Sequence, residues 1–284
     1  MITLFSTKDR VELTLYSHSW YNTCMKQTLL RCPACQKQLY LNHKTYSCGK
    51  HHFDIAKEGY VNLCIPPIKG DDTYLVQARE SFFLLNPYEP LMKAILPWIS
   101  PNDIVLDMGC GIGSYLQYFK ANLPSLTTIG FDGSKHAIRK AAKSDKEGQY
   151  VVGNINACPI IDHQSDVVLS VFAPFQVNEI TRVLKPKGRF ISVEPGENHL
   201  IELKSVLYPT LRLNNVTNPL TTNFNLIHEE TIDFTISCDH SLLMSLFHMT
   251  PYAYTTSKEA QEKLSSIEHL DVLASFVLRV YETY

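Results

Sequence analysis

The sequence predicts an α/β fold with a mostly parallel sheet, preceded by a small unit rich in cysteine. From position 102 onward, short apolar runs alternate with segments of helical periodicity. Strands that alternate with helices need crossover connections, which favour parallel pairing. A glycine-rich turn follows the first apolar run, and three of the eight cysteines lie between positions 32 and 48. The 284 residues are enough for one large domain or two smaller ones.

The alternating pattern predicts the position of each strand and helix along the chain. Strands are expected at 104–107, 127–132, 149–152, 166–172 and 188–193, with helices at 114–123, 135–143 and 177–184. Nearer the C-terminus, strands are expected at 231–237 and 274–281, and helices at 199–208, 240–247 and 257–266. Before the alternating region, residues 75–98 have helical spacing interrupted by Pro87 and Pro90, which predicts two helices.

Composition limits the classes of function. The chain has 26 Lys and Arg against 28 Asp and Glu, a net charge of -2 that argues against a strongly basic nucleic-acid binder. Residues 31–62, however, hold five basic and two acidic side chains, interleaved with Tyr40, Tyr46, Phe53 and Tyr60. Such a segment suits unpaired RNA, or is a solvated face over a small aromatic core. No apolar run is long enough to span a membrane and no secretory signal is evident, so we expect a reduced, cytoplasmic protein.

The strongest signal for a ligand site is the turn at 107–113, which reads Asp-Met-Gly-Cys-Gly-Ile-Gly. Glycine lets the backbone approach a ligand closely, and the turn opens a helix. Asp132 ends the next strand, where a carboxylate can accept hydrogen bonds from ribose hydroxyls. The G-x-G-x-G spacing favours S-adenosylmethionine (SAM) over NAD, although NAD or a turn without a ligand stays open. The predicted cofactor residues are Asp107 at the amino-acid end, Gly109, Gly111, Gly113, Asp132, and Asn154 near adenine.

A metal site is predicted by the cysteines that flank a hairpin over 39–46. Cys32 and Cys35 form one knuckle, and Cys48 is followed by His51 and His52. Three thiolates and one imidazole suit a structural zinc ion in a zinc ribbon. We favour His51 because its spacing mirrors the first knuckle, with His52 as the alternative. Free thiols or a redox C-x2-C pair are the competing interpretations.

Several further motifs carry a resemblance to a known family. They lie at 53–63, 77–79, 88–91, 172–174, 184–189, 195–204 and 249–252. Together with the ribbon and the glycine turn, they resemble the 23S rRNA (guanine-N1)-methyltransferases called RlmA. The resemblance implies a Rossmann-like class I methyltransferase with a mostly parallel seven-stranded sheet and a small N-terminal zinc ribbon. It also implies zinc held by Cys32, Cys35, Cys48 and a histidine, SAM contacts at Tyr88, Cys110, Gly111 and His199, and a guanine in a 23S rRNA hairpin as substrate.

The resemblance leads to an expected organisation and mechanism. We expect an N-terminal extension over 1–28, a zinc ribbon that recognises RNA over 29–65, a helical connection over 66–100 and the SAM domain over 101–284. Because family members begin a few residues before the first zinc cysteine, the resemblance favours Met25 as the start, and a short N-terminal extension packed on the surface is the alternative. Phe172 is expected either to stack on guanine or to pack in the core, and His199 and Glu202 are candidate proton acceptors. A homodimer is a further expectation, and a small-molecule methyltransferase or a non-catalytic RNA-binding protein is the alternative function.

Overall fold

The structure is a computed structural model that describes residues 26–68, 70–217, 220 and 223–284. Most of the N-terminal extension expected over 1–28, and the expected start at Met25, lie outside the described residues. Residues 26–28 belong instead to the first strand. In the part of the chain that the structure describes, no helix is long and apolar enough to cross a membrane.

The N-terminal unit is a four-stranded antiparallel sheet in the order β1-β2-β3-β4. Its strands are β1 (Lys26–Arg31), β2 (Gln38–Asn42), β3 (Thr45–Ser47) and β4 (His52–Asp54). Strands β2 and β3 form the predicted hairpin. Its apolar core is small and includes Leu30, Leu39 and Tyr46.

One short strand and two helices lie between the small sheet and the large domain, and the strand falls within the range 29–65 expected for the ribbon. The three elements are β5 (Val61–Asn62), α1 (Thr73–Leu84) and α2 (Glu89–Ile95). Helix α1 begins after Asp72, whose side chain accepts a hydrogen bond from the Leu75 amide at 2.9 Å. Helix α2 has Pro90 in its first turn, where the missing N–H is not needed. The two predicted helices are therefore confirmed.

The large domain alternates strands and helices as the pattern predicts. The strands are β6 (Ile104–Met108), β7 (Thr127–Asp132), β8 (Gln149–Val152), β9 (Ser165–Val171), β10 (Leu184–Pro195), β11 (Phe224–Asp239) and β12 (His269–Thr283). The helices are α3 (Ser114–Asn122), α4 (Lys135–Ser144), α5 (Val177–Val183), α6 (Ile201–Leu207), α7 (His240–His248), α8 (Tyr252–Thr255) and α9 (Lys258–Ser265).

One sheet joins these strands in the order β11-β12-β10-β9-β6-β7-β8-β5. The sheet is mostly parallel as predicted, with antiparallel pairing only where β12 joins β10 and β11. It has eight strands rather than the expected seven, because the two-residue strand β5 pairs with the edge strand β8. The eighth strand lies in the range expected for the ribbon, and two residues are too few to predict a strand from the sequence pattern.

The small sheet is docked on the large one through β1. The Arg31 amide donates to the Pro159 carbonyl at 2.9 Å, and the Ile161 amide donates to the Leu29 carbonyl at 2.9 Å. The Arg31 guanidinium also pairs with Glu179 at 3.3 Å, with both side chains largely buried. Leu30 belongs to the same apolar cluster as residues of β6, β7 and β9. The small unit thus adds its core to that of the sheet.

Candidate cofactor cavity and metal centre

A cavity of about 620 Å³ opens at the carboxyl ends of β6, β7 and β9. This volume lies in the range that binds small-molecule ligands and cofactors. Its walls come from the glycine turn, from α1 and the segment before it, and from residues 249–254. In a parallel sheet, this edge is where ligands bind.

The floor of the cavity is the glycine turn between β6 and α3. Gly109, Gly111 and Gly113 have φ angles of 83°, 54° and 78°. These left-handed conformations favour glycine, because a Cβ costs energy there. A Cβ on Gly109 would also lie 2.5 Å from the Cβ of Ala173. The turn therefore accepts only glycine at this position without a shift of β9 or its loop.

The Asp132 carboxylate is fixed at the end of β7. One oxygen accepts a hydrogen bond from the Gly111 amide at 3.0 Å, and the other accepts from the Ser134 amide at 2.7 Å. Burial raises the pKa of Asp132, and the two amide hydrogen bonds oppose that shift. The carboxylate is held against the glycine turn, where its remaining lone pairs can accept hydroxyl hydrogens.

Two buried polar atoms in the cavity wall have no partner among the described residues. They are Oδ2 of Asp107 and the hydroxyl of Tyr115. Burial, followed by the charge of Asp132, raises the pKa of Asp107 to about 8. Leaving such groups unpaired is costly, so they indicate a ligand that supplies hydrogen bonds or positive charge. An ammonium or hydroxyl group, both of which SAM carries, would satisfy these atoms.

His199 lines the cavity, and its neutral ring is a hydrogen-bond donor at Nε2 rather than a base. Its Nδ1 lies 3.2 Å from the Ser275 amide, which donates to it, so the neutral ring carries its proton on Nε2. Burial lowers the pKa of His199 to about 4, which keeps the ring neutral at physiological pH. Glu202 does not line the cavity as the structure describes it, and one of its carboxylate oxygens accepts from the Leu273 amide at 2.8 Å. The expectation that either residue is an available proton acceptor is not supported by these contacts.

Phe172 is an exposed aromatic ring at the cavity mouth. It directly follows β9, has a φ of 55°, and is 43% exposed. Its ring lies 6.1 Å from that of Tyr88 and 6.3 Å, nearly parallel, from that of His199. The alternative that Phe172 is a buried core residue is wrong. One face of the ring is supported by the cavity wall and the side chain remains accessible.

The metal centre lies at the end of the small sheet. The thiol sulfurs of Cys32, Cys35 and Cys48 and a ring nitrogen of His51 all lie within 4.8 Å of one another. His51 Nδ1 is 3.4 Å from Cys32 Sγ and 3.6 Å from Cys48 Sγ. A tetrahedral zinc ion with ordinary bond lengths separates its ligand atoms by roughly 3.5–3.8 Å. The donor set and spacing fit zinc, and His52 lies exposed on β4, outside this group.

Comparison with known proteins matches both regions. Residues 30–68 match the N-terminal zinc ribbon of RlmA, and residues 106–192 match a methyltransferase domain. A Streptomyces fradiae 23S rRNA (guanine(748)-N(1))-methyltransferase is 30% identical, over 79% of this chain and 85% of that protein. Bacillus subtilis YxjB, provisionally named a 23S rRNA (guanine-N(1)-)-methyltransferase, is 31% identical over 87% of this chain and 96% of that protein. The chain belongs to the 23S rRNA (guanine-N1)-methyltransferase family.

Membership in this family confirms the predicted fold class and the predicted cofactors, SAM and a structural zinc ion. The structure brings seven of the nine predicted cofactor residues to the cavity wall. These seven are Tyr88, Asp107, Gly109, Cys110, Gly111, Asp132 and His199. Their contacts with SAM stay predictions, with the geometry above as support.

Gly113 and Asn154 lie beside the cavity rather than in its wall. A Cβ on Gly113 would approach the Tyr150 hydroxyl to 2.8 Å, so this glycine allows α3 to pack on β8. The Asn154 side chain accepts a hydrogen bond from the Asn156 amide at 2.9 Å, which closes a local turn. Its neighbours Gly153 and Ile155 line the cavity instead. A side chain used in a turn of this kind cannot be recognised from the strand pattern alone.

The cavity also contains residues whose role the sequence did not indicate. Arg79 on α1 and Asp71 before it form an ion pair of 2.8 Å in the wall, and Tyr115 and Ile68 line it as well. Arg79 belongs to a motif that carries the family resemblance, which is the one available signal. Nothing in the periodicity of α1 shows that this helix lies over the glycine turn.

The basic and aromatic segment over 31–62 is only partly a surface. The four lysines at 37, 44, 50 and 57 are exposed, and Tyr40 is 39% exposed. Arg31 is instead paired with Glu179, and Tyr46 and Tyr60 are buried. Glu58 is buried and paired with Arg139 at 2.8 Å. Both interpretations of the segment therefore hold in part: exposed lysines and one exposed ring lie over a small aromatic core.

Proposed function

We propose that the protein transfers the methyl group of SAM to N1 of a guanine in a hairpin of 23S rRNA. The bond from N1 to the methyl carbon forms as the sulfur–methyl bond breaks, the sulfur leaves as a neutral thioether, and the proton of N1 is released to solvent. One observation carries the proposal: the ribbon of the RlmA type is docked, through β1 and residues 159–161, on the domain that forms the SAM cavity. A small-molecule methyltransferase has no evident use for such a unit. A non-catalytic RNA-binding protein has no use for the unpaired buried atoms of Asp107 and Tyr115.

The cavity residues divide between the two ends of the cofactor. Asp132 would accept hydrogen bonds from the ribose hydroxyls, since its carboxylate is held at the end of β7. Asp107 and Tyr115 would receive polar groups of the methionine end, and His199 would donate from Nε2. When bound, SAM supplies a methyl group on a positively charged sulfur. The protein contributes alignment of that methyl group with the attacking nitrogen.

Phe172 would hold the target base at the mouth of this cavity. Guanine N1 lies on the Watson–Crick edge, so the base must be unpaired or extruded before it can react. An exposed ring supported by Tyr88 and His199 offers one face to a stacked base. Base stacking on an aromatic side chain contributes about 1–3 kcal/mol. This contact fixes the plane of the guanine relative to the cofactor.

The ribbon would bind the RNA that surrounds the target base. Its exposed lysines at 37, 44, 50 and 57 can pair with phosphates, and Tyr40 can stack on an unpaired base. We propose that a zinc ion held by Cys32, Cys35, Cys48 and His51 stabilises the fold of the ribbon and thereby this surface. An rRNA substrate implies a cytoplasmic location. The homodimer stays a prediction, which sedimentation of the zinc-loaded protein would test.

A methyl-transfer assay tests the proposed function. The zinc-loaded protein is incubated with labelled SAM and unmodified 23S rRNA, and the labelled nucleotide is mapped. Label at N1 of one guanine is expected, and RNA already methylated at that N1 should take up none. Label on a different atom or nucleotide type would contradict the proposal.

A pair of variants tests the role of Phe172 in the same assay. Phe172→Ala should lower kcat/KM for RNA by about 5- to 150-fold, the equivalent of one lost stacking contact. Leu84→Ala removes another exposed apolar side chain, 79% exposed and outside the cavity wall, and should have no effect. Equal activity of Phe172→Ala and the wild type would show that the ring does not hold the base.

A further inference from the structure

We propose that Arg79 binds the carboxylate of the methionine end of SAM and is thereby a positioning residue for the cofactor. This inference rests on the proposed use of the cavity for SAM. It concerns a residue for which the sequence indicated no role.

Arg79 lies directly over the glycine turn. A Cβ on Gly111 would be 3.3 Å from Nη1 of Arg79 and 3.7 Å from its Cδ. The absence of a side chain at Gly111 thus leaves the space that the Arg79 side chain occupies. Helix α1 supplies this arginine from outside the sheet, so its guanidinium forms a wall of the cavity opposite the floor.

The guanidinium retains donors for a ligand. Arginine has five N–H donors, and among the described residues Arg79 uses Nη1 on a single partner, Asp71, at 2.8 Å. The Arg79 side chain is 25% exposed, so the remaining donors are partly withdrawn from water. A carboxylate is the group that a planar guanidinium binds with two parallel hydrogen bonds.

The charges of the cavity point to the same contact. Asp71, Asp107 and Asp132 line it, and Arg79 is the one described lining residue with a permanent positive charge. SAM carries positive charge on its sulfur and its amine and negative charge only on its carboxylate. With the ribose at Asp132 and the amine near Asp107, the carboxylate has one cationic partner in the described wall.

An alternative role for Arg79 is purely structural. Its pair with Asp71 could simply hold residues 70–72 against the end of β7, where the Ser134 hydroxyl donates to the Asp71 carbonyl at 2.8 Å. The two roles differ in what they predict for a cofactor without a carboxylate. A carboxylate contact affects only ligands that have the carboxylate, whereas a displaced segment affects all ligands of the cavity.

The test compares SAM with decarboxylated SAM, which keeps the sulfonium, the amine and the nucleoside. Affinities are measured by calorimetry on the zinc-loaded full chain, with circular dichroism and zinc content as checks on folding. The wild type should bind SAM about 10- to 100-fold more tightly than the decarboxylated compound, as expected for a charge-assisted pair. Arg79→Met should remove that preference by weakening SAM alone, and Arg79→Lys should retain part of it.

Two matched variants complete the test. Asp71→Asn removes the partner of Arg79 and should leave SAM affinity unchanged or raise it, because a competing acceptor is lost. Lys69→Met removes the basic side chain nearest to Arg79 in the sequence, at a position outside the described residues. This variant should keep the preference for SAM.

Besides an unaffected Arg79→Met variant, three results would overturn the inference. They are an equal loss for both compounds in Arg79→Met, the same loss of SAM affinity in Asp71→Asn, and loss of the preference in Lys69→Met instead. Failure of the wild type to bind SAM at all would contradict the proposed function itself. A normal wild type with an unaffected Arg79→Met variant would contradict only the role of Arg79.

Discussion

The small ribbon and the large sheet are stabilised in different ways. The sheet of the methyltransferase domain buries long strands on both faces, including the fully buried side chains of Phe131, Phe190 and Phe276. The ribbon has a core of a few side chains, a cluster of metal-binding groups and a seam with the sheet through β1. Small units of this kind need a metal or a partner surface because their apolar burial is insufficient.

Removal of zinc should give the largest difference between the two regions. Structural zinc binding contributes about 10–16 kcal/mol in isolated zinc-finger peptides, so Cys48→Ser or chelation should unfold the ribbon. RNA affinity should fall to that of a nonspecific binder, measured by gel shift. SAM affinity, measured by calorimetry, should persist, because no described ribbon residue between 26 and 54 lines the cavity. Parallel loss of SAM and RNA binding would mean that the two regions fold as one unit.

Two glycines with similar φ angles, one in each region, allow a direct comparison. Gly49 in the ribbon has a φ of 87° and open space within 4 Å of where a Cβ would lie, whereas Gly109 has a φ of 83° with Ala173 at 2.5 Å. Gly49→Ala should therefore cost about 1–2 kcal/mol of backbone strain and leave SAM binding intact. Gly109→Ala adds a clash, for a total of about 2–5 kcal/mol, and should abolish SAM binding. Thermal unfolding and calorimetry would measure both, and equal effects would contradict the assigned packing.

A substitution in the contact between β1 of the ribbon and the large domain should have a smaller effect on stability. Arg31→Met removes the pair with Glu179, but Glu179 keeps Arg182 as a partner at 2.8 Å. We expect a loss of about 1–2 kcal/mol in unfolding free energy, since one carboxylate contact remains. Hydrogen exchange should accelerate in β1 while zinc content stays constant. Lys37→Met, an exposed ribbon lysine, should weaken RNA binding without changing stability or exchange.

Asp107 should give the SAM cavity a pH dependence that the ribbon lacks. With its pKa raised to about 8, the ligand-free protein keeps a proton at pH 7 that the unfolded chain has lost. The contribution of Asp107 to stability therefore falls as pH rises from the ordinary value toward pH 8. Binding of cationic SAM favours the carboxylate, so a proton is released. Affinity should rise about twofold from pH 7 to pH 8, because the SAM amine loses part of its own positive charge in this range.

Calorimetry in buffers of different ionisation enthalpy would count that proton. Release of nearly one proton at pH 7 is expected for the wild type, and none for Asp107→Asn. A wild type that releases no proton would show that Asp107 is already ionised in the free protein.

The parts of the site that the sequence predicted are those encoded by local patterns. The turn at 107–113 and Asp132 were predicted because a strand, a glycine turn and a helix follow one another in the chain. The ribbon ligands were predicted because knuckle spacing is a local property, and the structure favours His51 over His52. The fold class followed from the same alternation of strands and helices.

The parts that the sequence did not predict depend on how distant segments meet. Arg79 reaches the glycine turn only because α1 crosses the end of the sheet, and β5 pairs with β8 across about 90 residues of chain. Asn154 was predicted near adenine; its side chain accepts a hydrogen bond within a turn, and its neighbours Gly153 and Ile155 line the cavity. The exposure of Phe172 depends on a left-handed backbone at a bulky residue, which no periodicity indicates.

The most direct test of the account is the methylation state of 23S rRNA in cells that carry or lack this chain. Nucleoside mass mapping should find one guanine with an N1-methyl group that disappears on deletion. The wild-type gene should restore it, and the Gly109→Ala variant should not. An unchanged set of N1-methylguanines in 23S rRNA after deletion would contradict the account.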